Sequence, residues 1–270
     1  MILRSGAALL AVAIACNWNV ATAQTVPVRT EATDPLPALH VLDGITAREW
    51  SLPDSVFLAD LGSRAPVASY RAAAEAGDIR AQAILGYFHS AGIGGARDDA
   101  EAVRWLRLAA DQGNAFAQVI LGSLYANGTG VTRSDTEAVR LYRLAADQGS
   151  GIGQSNLGYA YEKGRGVSQN YDEAVRLYRL AAAQGSVSAQ VDLGNLYADG
   201  RGVDQDYAEA ARLYRLAAER GYGTAQANLG NLYAQGRGVA QDFGEALHWI
   251  QRAADQKDPT GQANLGGLYL

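Results

Sequence analysis

Side chains that commonly serve as acid, base, nucleophile or metal ligand are sparse in this sequence. The chain has three histidines, His40, His89 and His248, and a single cysteine, Cys16. Nucleophilic catalysis needs a nucleophile beside a base, and a structural or catalytic metal needs several ligands at close spacing. No cluster of His, Cys and Asp has metal-ligand spacing. We therefore expect no catalytic residue, no metal and no cofactor, and we interpret the histidines as surface or packing residues.

Short glycine strings are the next candidates, because glycine-rich loops can bind phosphate through their backbone N–H groups. They are Gly92-Ile93-Gly94-Gly95, Gly128-Thr129-Gly130 and Gly164-Arg165-Gly166. A phosphate loop would follow a strand and end in Gly-Lys-Ser/Thr, and none of these strings does so. Their regular recurrence indicates turns between helices.

Carboxylates and arginines also recur at fixed intervals. The glutamates are Glu101, Glu137, Glu173, Glu209 and Glu245, and each stands three residues after an Asp, Ser or Asn. This spacing is the capping box that opens a helix, so it explains the glutamates without acid catalysis. Arginine pairs at 104/107, 140/143, 176/179 and 212/215 lie within helical reach of the glutamates. We interpret this ladder as a solvated convex face with ion pairs worth about 0.2–0.5 kcal/mol each. The alternative is a surface for an acidic partner or for anionic headgroups.

All these recurrences share one period of 36 residues. Residues 187–222 serve as the reference unit, and glycines at 86, 122, 158, 194, 230 and 266 mark the register. Such a period is typical of a repeat architecture in which each unit buries its apolar face on its neighbours. The function of such a protein is expected on a surface rather than in a pocket.

Each unit is predicted to be a helix-turn-helix hairpin. In helix A of the reference unit, Ala189, Leu193 and Leu196 form an apolar stripe, and Gly200 follows as a C-cap. Helix B begins at Asp206 with its capping box. Gly194, in the middle of helix A, costs about 1 kcal/mol relative to alanine. We therefore expect a neighbouring helix backbone to pass too close there for a Cβ.

The pattern AQxxLGxxYxxGxGV, followed by a helix with EA and AAxxG, resembles the Sel1-like repeat (SLR) family, a relative of the tetratricopeptide repeat. The resemblance covers residues 64–270 as about six units, of which the last lacks helix B. It implies an all-α fold, an α/α solenoid coiled as a right-handed superhelix. It also implies a protein that binds other proteins as a scaffold, often in bacterial envelopes, and it implies no reaction.

The N-terminal segment is predicted to direct export. Residues 1–23 read as a signal peptide with Arg4, a short apolar core and a cleavage site after Ala23. Residues 24–63 hold most of the prolines and are expected to form a flexible lead and an N-terminal cap. The protein should be periplasmic or secreted, without a transmembrane span. Cys16 offers an alternative, because it weakly resembles a lipidation site and would give a lipid-anchored envelope scaffold.

Charge and cysteine content limit the remaining function classes. The formal net charge is −5 and no basic tract exists, so nucleic acid is not an expected partner. Cleavage after Ala23 would remove the only cysteine. A cysteine-rich subgroup of the resembled family is linked to β-lactam binding or hydrolysis, and its cysteine pairs are absent here. A cell-wall or β-lactam-related hydrolase is the alternative to the non-catalytic interpretation, and the missing cysteine pairs argue against it.

The resemblance places the A helices on the concave surface, and the stripe beside the apolar one is expected to be exposed. The predicted binding residues on it are Tyr87, Ile120, Asn156, Tyr159, Asp192, Asn195, Asp199, Asn228 and Asn231. The same stripe includes Ile84, Ser123, Lys163 and Gln235. Rows of amides suit an extended peptide, whose backbone needs both donors and acceptors. We predict an envelope protein or peptide along this stripe, with its apolar end near Ile84, Tyr87 and Ile120. The alternative is that some of the asparagines are structural, because they precede Leu-Gly in the repeat pattern.

Overall fold

The computed structural model describes residues 67–268, with side chains described to residue 265. The predicted signal peptide, the lead and cap at 24–63, Cys16 and His40 lie outside the described residues. Within residues 67–268 there are twelve helices and no strand, so the predicted all-α repeat fold is confirmed. The handedness of the array stays a prediction.

Helices of the two series alternate along the chain. The A series comprises α2 (Ile79–Ala91), α4 (Ala115–Asn127), α6 (Gly151–Lys163), α8 (Val187–Asp199), α10 (Gly223–Gln235) and α12 (Pro259–Leu268). The B series comprises α1 (Val67–Glu75), α3 (Asp99–Asp111), α5 (Asp135–Asp147), α7 (Tyr171–Ala183), α9 (Tyr207–Glu219) and α11 (Phe243–Asp255).

These helices group into two compact units, each made of several repeats. From here on, "first unit" and "second unit" mean these two parts of the chain, and a single 36-residue repeat is called a hairpin. The first holds α1–α5 and the start of α6 up to Asn156, together with residues 165–167. The second holds Leu157–Gly164 and the chain from Ser168 onward. Within each unit consecutive helices pack on each other, for example α2 on α3 and α8 on α9. The core of the second unit includes Tyr178, Leu193 and Leu213, which come from three different helices.

The B helices begin as predicted, but only half of each capping box forms. At α9 the Asp206 carboxylate accepts hydrogen bonds from the N–H groups of Ala208 and Glu209, at 2.9 and 3.0 Å. The N–H of Asp206 donates to the carbonyl of Tyr197, at 2.9 Å, rather than to the Glu209 side chain. Glu209 is therefore available to pair with Arg212, at 2.7 Å.

At Gly86, Gly122, Gly158, Gly194 and Gly230 the atom nearest to a built Cβ belongs to a side chain, although a backbone atom also lies 3.0 Å away at Gly86 and at Gly230. A Cβ built on Gly194 would lie 2.6 Å from Cε1 of Tyr214, on helix B of the same hairpin. In the first unit, a Cβ on Gly122 would lie 2.7 Å from Cε1 of Tyr142. The expectation of a close backbone was wrong at Gly194, because the three atoms nearest to a Cβ there all belong to the ring of Tyr214.

The repeated glutamine of the A helices ties one hairpin to the next. Gln226 donates from Nε2 to the carbonyl of Ala218, at 3.1 Å, and its Oε1 accepts from Nε2 of Gln256, at 2.8 Å. Arg220 stands where this pattern would place the partner of Gln190, and it donates to a backbone carbonyl instead. Oε1 of Gln190 is buried and has no hydrogen-bond partner in the described part of the chain. Arginine in place of glutamine at position 220 therefore removes one glutamine–glutamine hydrogen bond of the series.

Candidate partner-binding face of the A helices

The helix-A face is defined here as the predicted stripe on the A helices, and its first-unit part is largely buried. Ile84 and Ile120 are 0% and 5% exposed, and both belong to the hydrophobic core. Ser123 is also buried and its hydroxyl lies 3.1 Å from Oη of Tyr142. The prediction that these three residues are exposed was wrong. Their side chains are buried within the fold, so Ile120 presents no surface to a partner.

The remaining first-unit positions offer little free surface. Tyr87 is partly buried and its ring packs on Phe116, with 6.0 Å between the centroids. Burial raises the pKa of the Tyr87 hydroxyl above its ordinary value. Asn156 is partly buried. The predicted apolar end of the groove is thus occupied by the protein's own core.

The second-unit part of the helix-A face presents polar and aromatic groups. Tyr159 is 40% exposed on α6, and Nζ of Lys163 lies 5.7 Å from the centroid of its ring. Asp199 is exposed at the end of α8 and pairs with Arg201. Gln235 is exposed at the end of α10, and Asn231 on the same helix is partly buried. Binding of a partner by this part of the stripe stays a prediction.

Two of the predicted asparagines are engaged within the fold. Tyr214 donates its hydroxyl to Oδ1 of Asn195, at 2.7 Å, and Nδ2 of Asn228 donates to the same oxygen, at 3.3 Å. This bridge joins α8, α9 and α10. Burial, followed by the charge of Asp199, raises the pKa of Tyr214. Asn195 and Asn228 therefore act in part as structural links along the helix-A face.

Two acidic residues, one buried and one partly buried, lie near this bridge. Glu162 on α6 is 6% exposed, and it accepts hydrogen bonds from Oη of Tyr178 at 2.9 Å and from Nζ of Lys163 at 2.5 Å. Asp192 on α8 interacts electrostatically with both Glu162 and Lys163. Burial and then Glu162 raise the pKa of Asp192 to about 7.

Sequence reasoning missed Glu162 entirely. The stripe was predicted from helical spacing alone, which selects Lys163 on this helix and not the preceding residue, Glu162. A signal was present, because the equivalent positions in the other A helices are Ser90, Ala126, Ala198 and Ala234. A glutamate where these four hairpins have serine or alanine indicates that the local packing differs.

The outer surface of the B helices is the rival binding surface. Its first arginines pair with the glutamates as predicted, for example Arg176 with Glu173 at 2.6 Å. The second arginine of a pair reaches the next hairpin, since Arg179 donates to Oη of Tyr197 at 2.6 Å. Sequence reasoning missed four leucines on the B helices whose side chains are 39–42% exposed. They are Leu108 and Leu144 in the first unit and Leu180 and Leu216 in the second.

The described histidines show no arrangement typical of catalysis. Nε2 of His89 lies 3.2 Å from Nη2 of Arg71, and burial together with this guanidinium lowers the pKa of His89. The ring of His248 packs edge-on against Trp249, with 5.1 Å between the centroids. Among residues 67–265 no group of three His, Cys, Asp or Glu side chains is placed to hold a metal ion. No helix in the described range is long and apolar enough to cross a membrane.

Comparison with known proteins gives a consistent set of matches. The model of the Sel1 repeat family matches residues 79–114, 115–150, 151–186, 187–222 and 223–258. A Sel1 repeat protein from Oxalobacter formigenes has 32% identity and a TM-score of 0.70, over 87% of this chain and 88% of that one. A protective antigen of uropathogenic Escherichia coli with an SLR fold has 32% identity and a TM-score of 0.71, over 88% of this chain.

The chain is also similar to a third solved structure, and it spans only part of one of the proteins named above. A Sel1 repeat protein from Klebsiella pneumoniae has 26% identity and a TM-score of 0.51, over 76% of this chain and 100% of that one. The match to the E. coli antigen spans about half of that protein, 52% of its length. No functionally curated protein matches the chain.

Proposed function

The chain belongs to the Sel1 repeat family, whose members are generally protein-interaction scaffolds, and from this membership we propose that it is an exported, non-catalytic adaptor or regulator of the bacterial envelope. It binds a partner protein or peptide along the second-unit part of the helix-A face. The partner surface runs over α6, α8 and α10.

One observation carries the choice of this face. Asn231, which is partly buried, and Gln235, which is exposed, make no side-chain hydrogen bond with any described residue. Amide groups both donate and accept, which matches the backbone of an extended peptide. Tyr159 adds a partly exposed aromatic ring, the residue type that is enriched in binding hot spots. The outer surface of the B helices differs, because its charged side chains are largely paired with one another.

The envelope location is proposed from the N-terminal sequence. Residues 1–23 have the positive start, apolar core and small-residue cleavage site of a signal peptide. Attachment through Cys16 would place the same adaptor at a membrane and leave the binding face unchanged.

A matched pair of variants tests the binding proposal. Asn231→Arg introduces a bulky charge on the helix-A face, and Leu180→Arg introduces the same charge on the outer surface of α7. The tagged proteins are purified from separated envelope and cytosolic fractions, and the bound proteins are quantified by mass spectrometry. Asn231→Arg should reduce recovery of one defined envelope protein at least about tenfold, because a desolvated unmatched charge at an interface costs several kcal/mol. Leu180→Arg should leave recovery unchanged.

The same experiment can contradict the proposal in two ways. Loss of the partner in Leu180→Arg with retention in Asn231→Arg would move binding to the B helices. Recovery of the chain only from the cytosolic fraction would contradict export. Equal urea midpoints for both variants and the parent protein are the control for folding.

A further inference from the structure

A recurring hydrogen bond joins the second arginine of a B helix to the A helix that follows it. Arg107 donates to Oη of Tyr125 at 2.8 Å, and Arg179 donates to Oη of Tyr197 at 2.6 Å. A phenolic hydroxyl keeps its proton and its lone pairs at any pH well below about 10. These bonds therefore do not respond to acid in the physiological range.

The bond between α1 and α2 has a histidine as its acceptor instead. His89 on α2 occupies the tyrosine position of the later hairpins, and Arg71 on α1 occupies the arginine position. Nε2 of His89 lies 3.2 Å from Nη2 of Arg71. A guanidinium stays charged and offers no acceptor, so Arg71 donates and Nε2 accepts, with the imidazole proton on Nδ1. This bond therefore exists only while His89 is neutral.

Charged groups on α1 and at the start of α3 influence the protonation of His89. The carbonyl of His89 accepts the N–H of Asp98 at 3.0 Å, which places the start of α3 against the end of α2. Burial and then the guanidinium of Arg71 lower the pKa of His89, and Arg104 lowers it further, whereas Glu101 and Asp98 raise it. The lowering effects prevail, so the imidazole stays neutral to a lower pH than an ordinary histidine does.

We propose that the hydrogen bond between Arg71 and His89 is an acid-sensitive latch that holds α1 on α2. Protonation removes the acceptor at Nε2 and places an imidazolium beside the guanidinium, so an attraction becomes a repulsion. Tyr70 on α1 packs edge-on against Phe88 on α2, with 5.3 Å between the ring centroids, and both side chains are buried. Opening of this contact exposes Phe88. Acidification therefore raises the fraction of molecules in which this apolar ring is uncovered.

The stabilisation by the latch is present at neutral pH and is lost in acid. The pKa of His89 is lower in the folded chain than in the unfolded chain, where it takes the ordinary value of about 6.5. The unfolded chain therefore takes up the proton first as the pH falls. The contribution of the bond is complete above about pH 6.5 and is lost as the pH falls through the lowered pKa of the folded chain.

Amide hydrogen exchange of α1 tests the latch at about pH 7.5 and about pH 4.5, on either side of the ordinary histidine pKa, with rates corrected for the intrinsic effect of pH. Loss of one hydrogen bond should increase the opening equilibrium of α1 about fivefold at the lower pH. The matched variant is His89→Tyr, which introduces the acceptor of the later hairpins. Its α1 amides should show no such increase. The amides of α9 should not differ between the two proteins.

A second measurement does not depend on the folding of His89→Tyr. The ring of His89 is titrated by NMR in the parent protein and in Arg71→Met, which keeps an apolar stem and removes the guanidinium. The pKa of His89 should be higher in Arg71→Met, because a nearby positive charge disfavours the imidazolium. The ¹⁵N shifts of the neutral ring in the parent should show the proton on Nδ1.

Three results would each overturn the inference. The first is an equal response of the α1 amides to acid in the parent and in His89→Tyr. The second is a proton on Nε2 of the neutral His89 ring, and the third is an unchanged pKa of His89 in Arg71→Met. None of these measurements involves a partner, so their outcome is independent of the proposed function.

Discussion

Replacement of Gly238 by alanine is expected to lower the free energy of unfolding by about 3 kcal/mol, from about 1–2 kcal/mol of left-handed backbone strain and about 1–3 kcal/mol of overpacking. Gly238 has a φ of 67° in the turn between α10 and α11. A Cβ there would lie 2.2 Å from the carbonyl carbon of Tyr207 and 2.4 Å from the nitrogen of Ala208. These are backbone atoms at the start of α9, so the clash can be relieved only by moving one hairpin relative to the other.

Gly221 provides the matched control for this substitution. It has a φ of 88° in the turn before α10, and a Cβ there would have no atom within 4 Å. Gly221→Ala should therefore show only the backbone strain, about 1 kcal/mol. Urea unfolding of the two variants and the parent measures the difference. Equal losses at the two positions would contradict the close contact between the turn and α9.

Gly194→Ala is expected to destabilise the protein by about 2 kcal/mol, although alanine in a helix is otherwise favoured over glycine by about 1 kcal/mol. The reason is the ring of Tyr214, whose Cε1 lies 2.6 Å from the position of the new Cβ. The ring is also held by the hydrogen bond from its hydroxyl to Asn195. It has little freedom to move aside.

A double-mutant cycle separates the ring from the backbone as the cause. In a Tyr214→Ala background, Gly194→Ala should be neutral or stabilising by up to about 1 kcal/mol, because the ring is gone and only the helix propensity remains. The measurement is the free energy of unfolding of the four proteins of the cycle. The same loss in both backgrounds would mean that a helix backbone, rather than the Tyr214 ring, excludes the Cβ of residue 194.

Sequence reasoning predicted the helices well because their determinants are local. The N-caps at Asp206 and the equivalent positions, the left-handed glycine at Gly200 and the apolar spacing act within one or two turns of the chain. The 36-residue period repeats each of these signals, so that an accidental match in one unit does not alter the assignment. The half-formed capping box shows the limit of local reasoning, because a carbonyl from the preceding helix takes the N–H of Asp206.

The helix-A face was predicted less well because exposure depends on neighbouring hairpins. Ile84 and Ile120 occupy the same helical position as Asn228, yet their side chains lie in the core. Helical spacing alone does not distinguish a position that faces solvent from one that a neighbour covers. Glu162 was missed for a related reason, since its hydrogen bond with Tyr178 of α7 forms only when the helices pack on each other.

The most direct test of the account is photo-crosslinking in intact cells at two positions of equal exposure. p-Benzoylphenylalanine is placed either at Tyr159, 40% exposed on the helix-A face, or at Leu180, 42% exposed on the outer surface of α7. The account predicts a crosslink from position 159 to one defined envelope protein and no such crosslink from position 180. Crosslinks to that protein from position 180 alone, or no envelope adduct from position 159, would contradict it.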